Sequence, residues 1–227
     1  MNGSRSRRFV RVAGWLGVIG VAGFCLGVVA AGLAFPGYSH LDQMISELGG
    51  AEATRPWIQN VNFVLFGCCV IALAVGLMVD AGKVFTGAVL LAVLGLPGIL
   101  AEGLAHCDAG CKGTTTEATL HDDFGGVGFV AGVVALFLLS RRWRRDPRWA
   151  DHARFTRWCA WAALVGLVVY IPSEDVIPRF TGLAQRAFLT PLLLFLAVTG
   201  WRMATRPPVS DDDGGGAVEG ALGLPPP

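Results

Sequence analysis

The 227-residue chain is 53% hydrophobic and 15% charged, with a mean hydropathy of +0.56. Soluble domains of this size carry roughly a quarter charged residues, so a soluble α-bundle is excluded: too little polar sequence remains to cover it. The formal net charge of +1 conceals an uneven placement of cations along the chain.

Six charge-free runs account for the deficit: Val12–Phe35, Trp57–Val79, Val84–Ala101, Phe124–Ser140, Trp158–Ser173 and Ala187–Trp201. A helix needs about 20 residues to cross the hydrocarbon, with a lower limit near 17. The first four runs meet it, and the last two do so if Arg157, Arg186 and Arg202 snorkel to the interfaces. The expectation is an all-α, six-span membrane domain over residues 12–202, behind a basic segment 1–11. A Gly/Pro-rich tail with an acidic cluster, 203–227, reads as disordered. "RSRRFVR" resembles the basic start of a signal peptide. The apolar run after it is too long for one and reads as a retained helix.

Between the first two runs, "SHLDQMISELGG" reads as a short amphipathic helix. Ser39 and Asp42 form a capping-box-like start, Leu41, Met44, Ile45 and Leu48 share one face, and Gly49-Gly50 is the stop. His40 and Glu47 fall on one edge and Asp42 and Ser46 on the other, so this helix alone cannot assemble a Ser-His-Glu triad. Pro97, beside Gly95 and Gly98, should break the end of span 3, and Pro191 should bend or start span 6. "GFCLG" and "GFVAG" are small-xxx-small patterns, read as close helix packing within one bundle. The linker "RRWRRDPRWADHARFTR" reads as a headgroup anchor, with His152 solvated.

Fourteen of the eighteen Lys and Arg residues fall on one side of the six-span arrangement. By the positive-inside rule that side is cytoplasmic and carries both termini, in an inner membrane. The opposite side is acidic. "AHCDAGC" then faces outward, where disulfides persist. A Cys107–Cys111 disulfide is favoured there over a zinc clamp, which would usually need a second Cys/His pair. Cys25, Cys68, Cys69 and Cys159 sit inside spans as small packing residues.

Several elements recur in a familiar order: "YSHLDQMISELGG", Asn62-Phe63 and Gly67 entering span 2, "HCDAGC", "LHDD" before span 4, and "TGLAQR" opening span 6. The ensemble resembles the prokaryotic six-helix membrane proteins of domain-of-unknown-function family 998. The resemblance implies six spans and no settled activity.

These elements converge on the outward side, so a polar pocket is expected there, built from Ser46, Glu47, Asn62, Asp108, His121, Gln185 and Arg186. One reading is a lipid or envelope small molecule as ligand, with Asn62, Asp108, Gln185 and Arg186 binding it. A second is a metal-dependent hydrolase of lipid esters or amides. His40, His106 and His121 would hold zinc, which lowers the pKa of its water to about 7, and His121, Ser46 and Glu47 would act in catalysis. Against it, no HxxxH or HExxH pair places two ligands on one helix. A third reading is a transporter or an accessory subunit of a membrane complex. A hydrogen-bonded plug, with Glu47 or Glu102 paired to Arg186 and the asparagines capping loops, would need no ligand. The lipid bilayer is the expected partner, and nucleic acid is not.

Overall fold

The computed structural model describes residues 3–113 and 115–206. Every regular element among them is helical. Six long helices carry the fold: α1 (Gly3–Leu33), α2 (Pro56–Asp80), α3 (Thr86–Gly95), α4 (Thr116–Trp143), α5 (Ala150–Tyr170) and α7 (Thr181–Thr205). A one-turn helix, α6 (Ser173–Val176), lies between the last two. They close a ring in which α1 packs on α2 and α7, α2 on α3, α3 on α4, α4 on α5 and α5 on α7. Phe24, Phe63, Phe66, Leu94, Leu192 and Leu196 are buried inside it.

Five helical stretches are long and apolar enough to cross a membrane: Ser4–Leu33, Pro56–Asp80, Thr86–Gly103, Thr116–Trp143 and Pro178–Thr205. The architecture is that of a polytopic helical membrane protein. Helix α5 is not among the five because Asp151, Arg154 and Arg157 occupy its first two turns. Helix α1 starts well before Val12, so the basic segment from Gly3 onward is helical. The tail expected to be disordered from residue 203 begins inside α7, which runs to Thr205, and from residue 207 on it lies outside the described residues.

Backbone meets backbone where glycines face one another. A Cβ on Gly128 of α4 would collide with the Cα of Gly98, and one on Gly67 of α2 would lie 2.6 Å from the Gly95 carbonyl. The expected break in span 3 takes a specific form. After α3 the chain widens into a π turn at Leu96–Leu100 containing Pro97, then tightens into a 3-10 turn at Ala101–Gly103. Pro97 has no N–H to give, and the Ala101 N–H reaches back five residues to the Leu96 carbonyl, an arrangement that often marks functional sites. Pro191 does not start a helix; it lies buried inside α7, which begins at Thr181. Of the "GFCLG" glycines, Gly27 is packed against Asn62, whereas nothing lies within 4 Å of a Cβ on Gly23.

The arginine-rich end departs from the expected headgroup anchor. Trp143 and Trp149 are buried and stack with ring centroids 4.5 Å apart. The Trp149 indole N–H donates to the Asp80 carboxylate at 3.1 Å, and the Arg206 guanidinium lies 4.1 Å from its ring centre. His152 is buried rather than solvated, its Nε2 3.0 Å from the Thr199 hydroxyl. Helix α5 begins at Ala150, and this turns His152 toward α7 instead of water. Arg148 bonds Asp146 at 2.9 Å and holds that carboxyl below the usual carboxylate range.

Candidate functional site

The disulfide end of the ring is closed by the segment between α1 and α2. The continuous helix expected there does not form. A hydrogen-bonded turn runs from Ser39 to Gln43, and only Ser46–Gly49 makes a 3-10 turn. Side chains take the backbone donors a helix would need. The Met44 N–H donates to Glu47 Oε1 at 2.7 Å, and the Ile45 N–H to Gln185 Oε1 at 2.6 Å. Side-chain acceptors of this kind compete directly with helix formation. Met44, Ile45 and Leu48 are buried as their spacing implied, while Leu41 is exposed.

Arg186 fastens this segment to α7. Its guanidinium donates to the carbonyls of Gln43 and Gly182, both at 2.9 Å, and to the Tyr38 hydroxyl at 2.7 Å. It also donates to His40 Nδ1 at 3.0 Å. The expected ion pair with Glu47 or Glu102 is not formed among the described residues. Glu47 is occupied by Met44 and by Gln43 Nε2, and Glu102 lines a cavity instead. Burial raises the Tyr38 hydroxyl above its ordinary value, with the Arg186 charge pulling the other way. Partial desolvation and then the Arg186 charge hold His40 below its ordinary 6.5.

Cys107 and Cys111 are joined in a disulfide, with Cα atoms 4.8 Å apart. Gly110 and Cys111 take positive φ of 62° and 50° to close so short a ring. The ring sits on Gly50, where a Cβ would lie 2.9 Å from Cys107 Sγ, and the Ala51 N–H donates to the Cys107 carbonyl.

Two cavities adjoin at this end. The polar one, ≈ 260 Å³, is lined by Met44 and Ser46 from the first loop, Glu102 after the π turn and Cys111 of the disulfide. His121, Asp122, Gly125, Gly126 and Phe129 of α4, Tyr170 of α5 and Glu174 of α6 complete it. The second, ≈ 30 Å³, is apolar and lies inside the ring against Phe24, Phe63, Phe66, Leu94 and Leu192. Ser46, Glu102 and Phe129 line both. Glu102 is 5% exposed, and Gly125 leaves the space that its carboxylate fills. Burial raises the Glu174 carboxyl above the usual range, while the exposed Lys112 pulls it down.

The expected site residues divide accordingly. Ser46 and His121 share the polar cavity, and Gln185 lines the apolar one while donating from Nε2 to the Tyr170 hydroxyl at 3.2 Å. Glu47 turns to its own loop. Asn62 lines neither cavity; its side-chain N–H donates to the Phe24 carbonyl at 3.0 Å, tying α2 to α1. Asn60 does cap the loop, donating to the Gly49 carbonyl at 3.3 Å. Asp108 accepts from the Thr115 hydroxyl at 2.9 Å.

The three histidines are not brought together. His40 meets Arg186, His106 lies 2.8 Å from Glu117, and His121 Nδ1 lies 2.7 Å from the Ala105 carbonyl. Among the described residues no group of three or more His, Cys, Asp or Glu is placed to hold a metal ion. Of the cavity's residues, sequence reasoning counted Asp122 and Glu174 only among the carboxylates of the outward side, and it passed over Phe129 and Tyr170. Tyr170, one of two tyrosines in the chain, was the available signal: a hydroxyl near the end of an apolar run needs a buried partner.

No curated protein and no solved structure matches the chain. A family model does, over residues 18–202, which spans the whole ring from α1 to α7. The chain belongs to the family described as Protein of unknown function (DUF998).

Proposed function

We propose that this chain is a six-span protein of the cytoplasmic (inner) membrane, with both termini cytoplasmic, that binds a lipid or another amphiphile of the cell envelope in an outward-facing pocket. Counting α5 as a span is supported by its length. Its 21 residues rise about 31 Å at 1.5 Å each, against a hydrocarbon core of about 30 Å. Trp158, Trp161, Val165, Val168 and Val169 on it are exposed, as on a lipid-facing surface. The orientation is supported by the excess of cations at the arginine-rich end.

The observation that carries the binding reading is the shared wall. One cavity is polar, its neighbour is apolar, and Ser46, Glu102 and Phe129 belong to both. That is a surface for a molecule with a polar head and an apolar remainder. Hydrolysis is less well supported by the same residues. The Glu47 carboxylate is spent on backbone and on Gln43, and a carbonyl rather than a carboxylate orients His121.

Native mass spectrometry from a mild non-ionic detergent tests the reading. The wild type should retain about one amphiphile per chain. Gly126→Trp should lose it, because Gly126 lines the polar cavity and a Cβ there meets nothing within 4 Å, so the backbone accepts the added bulk at the cavity wall. Equal retention by both proteins would overturn the proposal.

A further inference from the structure

The polar cavity is electrostatically one-sided. Glu102, Asp122 and Glu174 line it, and no Lys or Arg does. Glu102 is the decisive member. It is 95% buried, and among the described residues it has no hydrogen-bond or ion-pair partner, yet it borders both cavities. A carboxylate so deeply placed and without donors from the protein is costly. The cost is relieved when a cation enters. His121 cannot donate from Nδ1, since that nitrogen already gives its hydrogen to the Ala105 carbonyl, 2.7 Å away. Phe129 and Tyr170, T-shaped with centroids 6.3 Å apart, add two aromatic rings to the wall, and ring faces attract ammonium groups. Carboxylates and aromatic rings together describe a receptor for a cationic head.

Resting on the amphiphile reading above, we propose that the ligand is a cationic amphiphile. Its ammonium group sits at Glu102, between Asp122 and Glu174, and its first methylenes enter the apolar compartment lined by Phe24, Phe63 and Phe66. An anionic head would meet three carboxylates, and a neutral hydroxyl could give Glu102 a hydrogen bond but no countercharge.

The test uses the full chain in phosphatidylcholine nanodiscs, titrated with dodecylamine, dodecanol and dodecanoate at equal mole fractions in the bilayer, with thermal unfolding as the readout. Dodecylamine should give a saturable upward shift at concentrations at least tenfold below those dodecanol requires, and dodecanoate should give none. Glu102→Gln, which keeps shape and removes the charge, should weaken the amine at least tenfold and the alcohol less than threefold. If that variant does not fold, the Asp122→Asn/Glu174→Gln pair should weaken the amine to a similar extent. Dodecanol binding as tightly as dodecylamine, or an amine affinity indifferent to these substitutions, would overturn the cationic head while leaving the amphiphile pocket standing. Failure of both the amine and the alcohol to bind would overturn both.

Discussion

Gly128→Leu should lower the melting temperature of the detergent-purified protein by about 6–12 °C. The loss follows from backbone geometry. Any Cβ at 128 collides with the Gly98 Cα and comes within 3.0 Å of its nitrogen, so the obstruction cannot rotate away as a side chain would. Overpacking ordinarily costs about 1–3 kcal/mol. With backbone on both sides the upper end applies, and about 3 kcal/mol corresponds to roughly 2–4 °C per kcal/mol in a chain of this size. Gly23→Ala is the control. Nothing lies within 4 Å of that Cβ, so replacing a helical glycine there should be neutral or stabilise by up to about 1 kcal/mol. Equal effects of the two substitutions would show that the close approach of the π turn to α4 is not what Gly128 serves.

Arg186→Ala should cost about 2–4 kcal/mol, because one guanidinium holds four acceptors on the first loop and on α7 and charge-assisted bonds contribute about 1.5–3 kcal/mol each before exposure discounts them. Lysine at 186 should recover less than half, lacking the planar fork that reaches Gln43 and Tyr38 together. The same clamp should be sensitive to acid. His40 accepts from Arg186 through Nδ1, and its pKa is held below 6.5. Between the folded value and 6.5 the unfolded chain binds more protons than the folded one, so stability rises with pH across that window. The contribution is fully present above about pH 6.5 and is lost as the pH falls through the window. Thermal melts at pH 7.5 and 5 should show a drop that is smaller in His40→Asn; an equal drop in both would remove His40 from the account.

The membrane class and the positions of five of the spans were legible because a run of apolar residues long enough to cross a bilayer is a local property. So was the Cys107–Cys111 disulfide, since four residues of separation and a turn-forming glycine need no distant partner. The first loop was misread because its helical periodicity is real but its backbone donors are not free. Gln185, 140 residues away, takes the Ile45 N–H, and no local pattern announces that. Glu102 was visible as a carboxylate at the end of span 3, and an ion pair with Arg186 was the simplest expectation. The π turn and the bare backbone at Gly125 instead direct it into a cavity shared with α4, α5 and α6. His152 was misplaced for a similar reason: a basic linker suggests water, but stacked Trp143 and Trp149 make its surroundings a core.

Phe129 stands where the polar and apolar cavities meet, and a photoreactive benzophenone amino acid in its place would report directly on what lies there. After irradiation of intact cells and purification, the account predicts a covalent adduct with the mass of a lipid-sized amphiphile, suppressed when Gly126→Trp is added. Irradiation that yields only unmodified protein, or an adduct undiminished by Gly126→Trp, would contradict it.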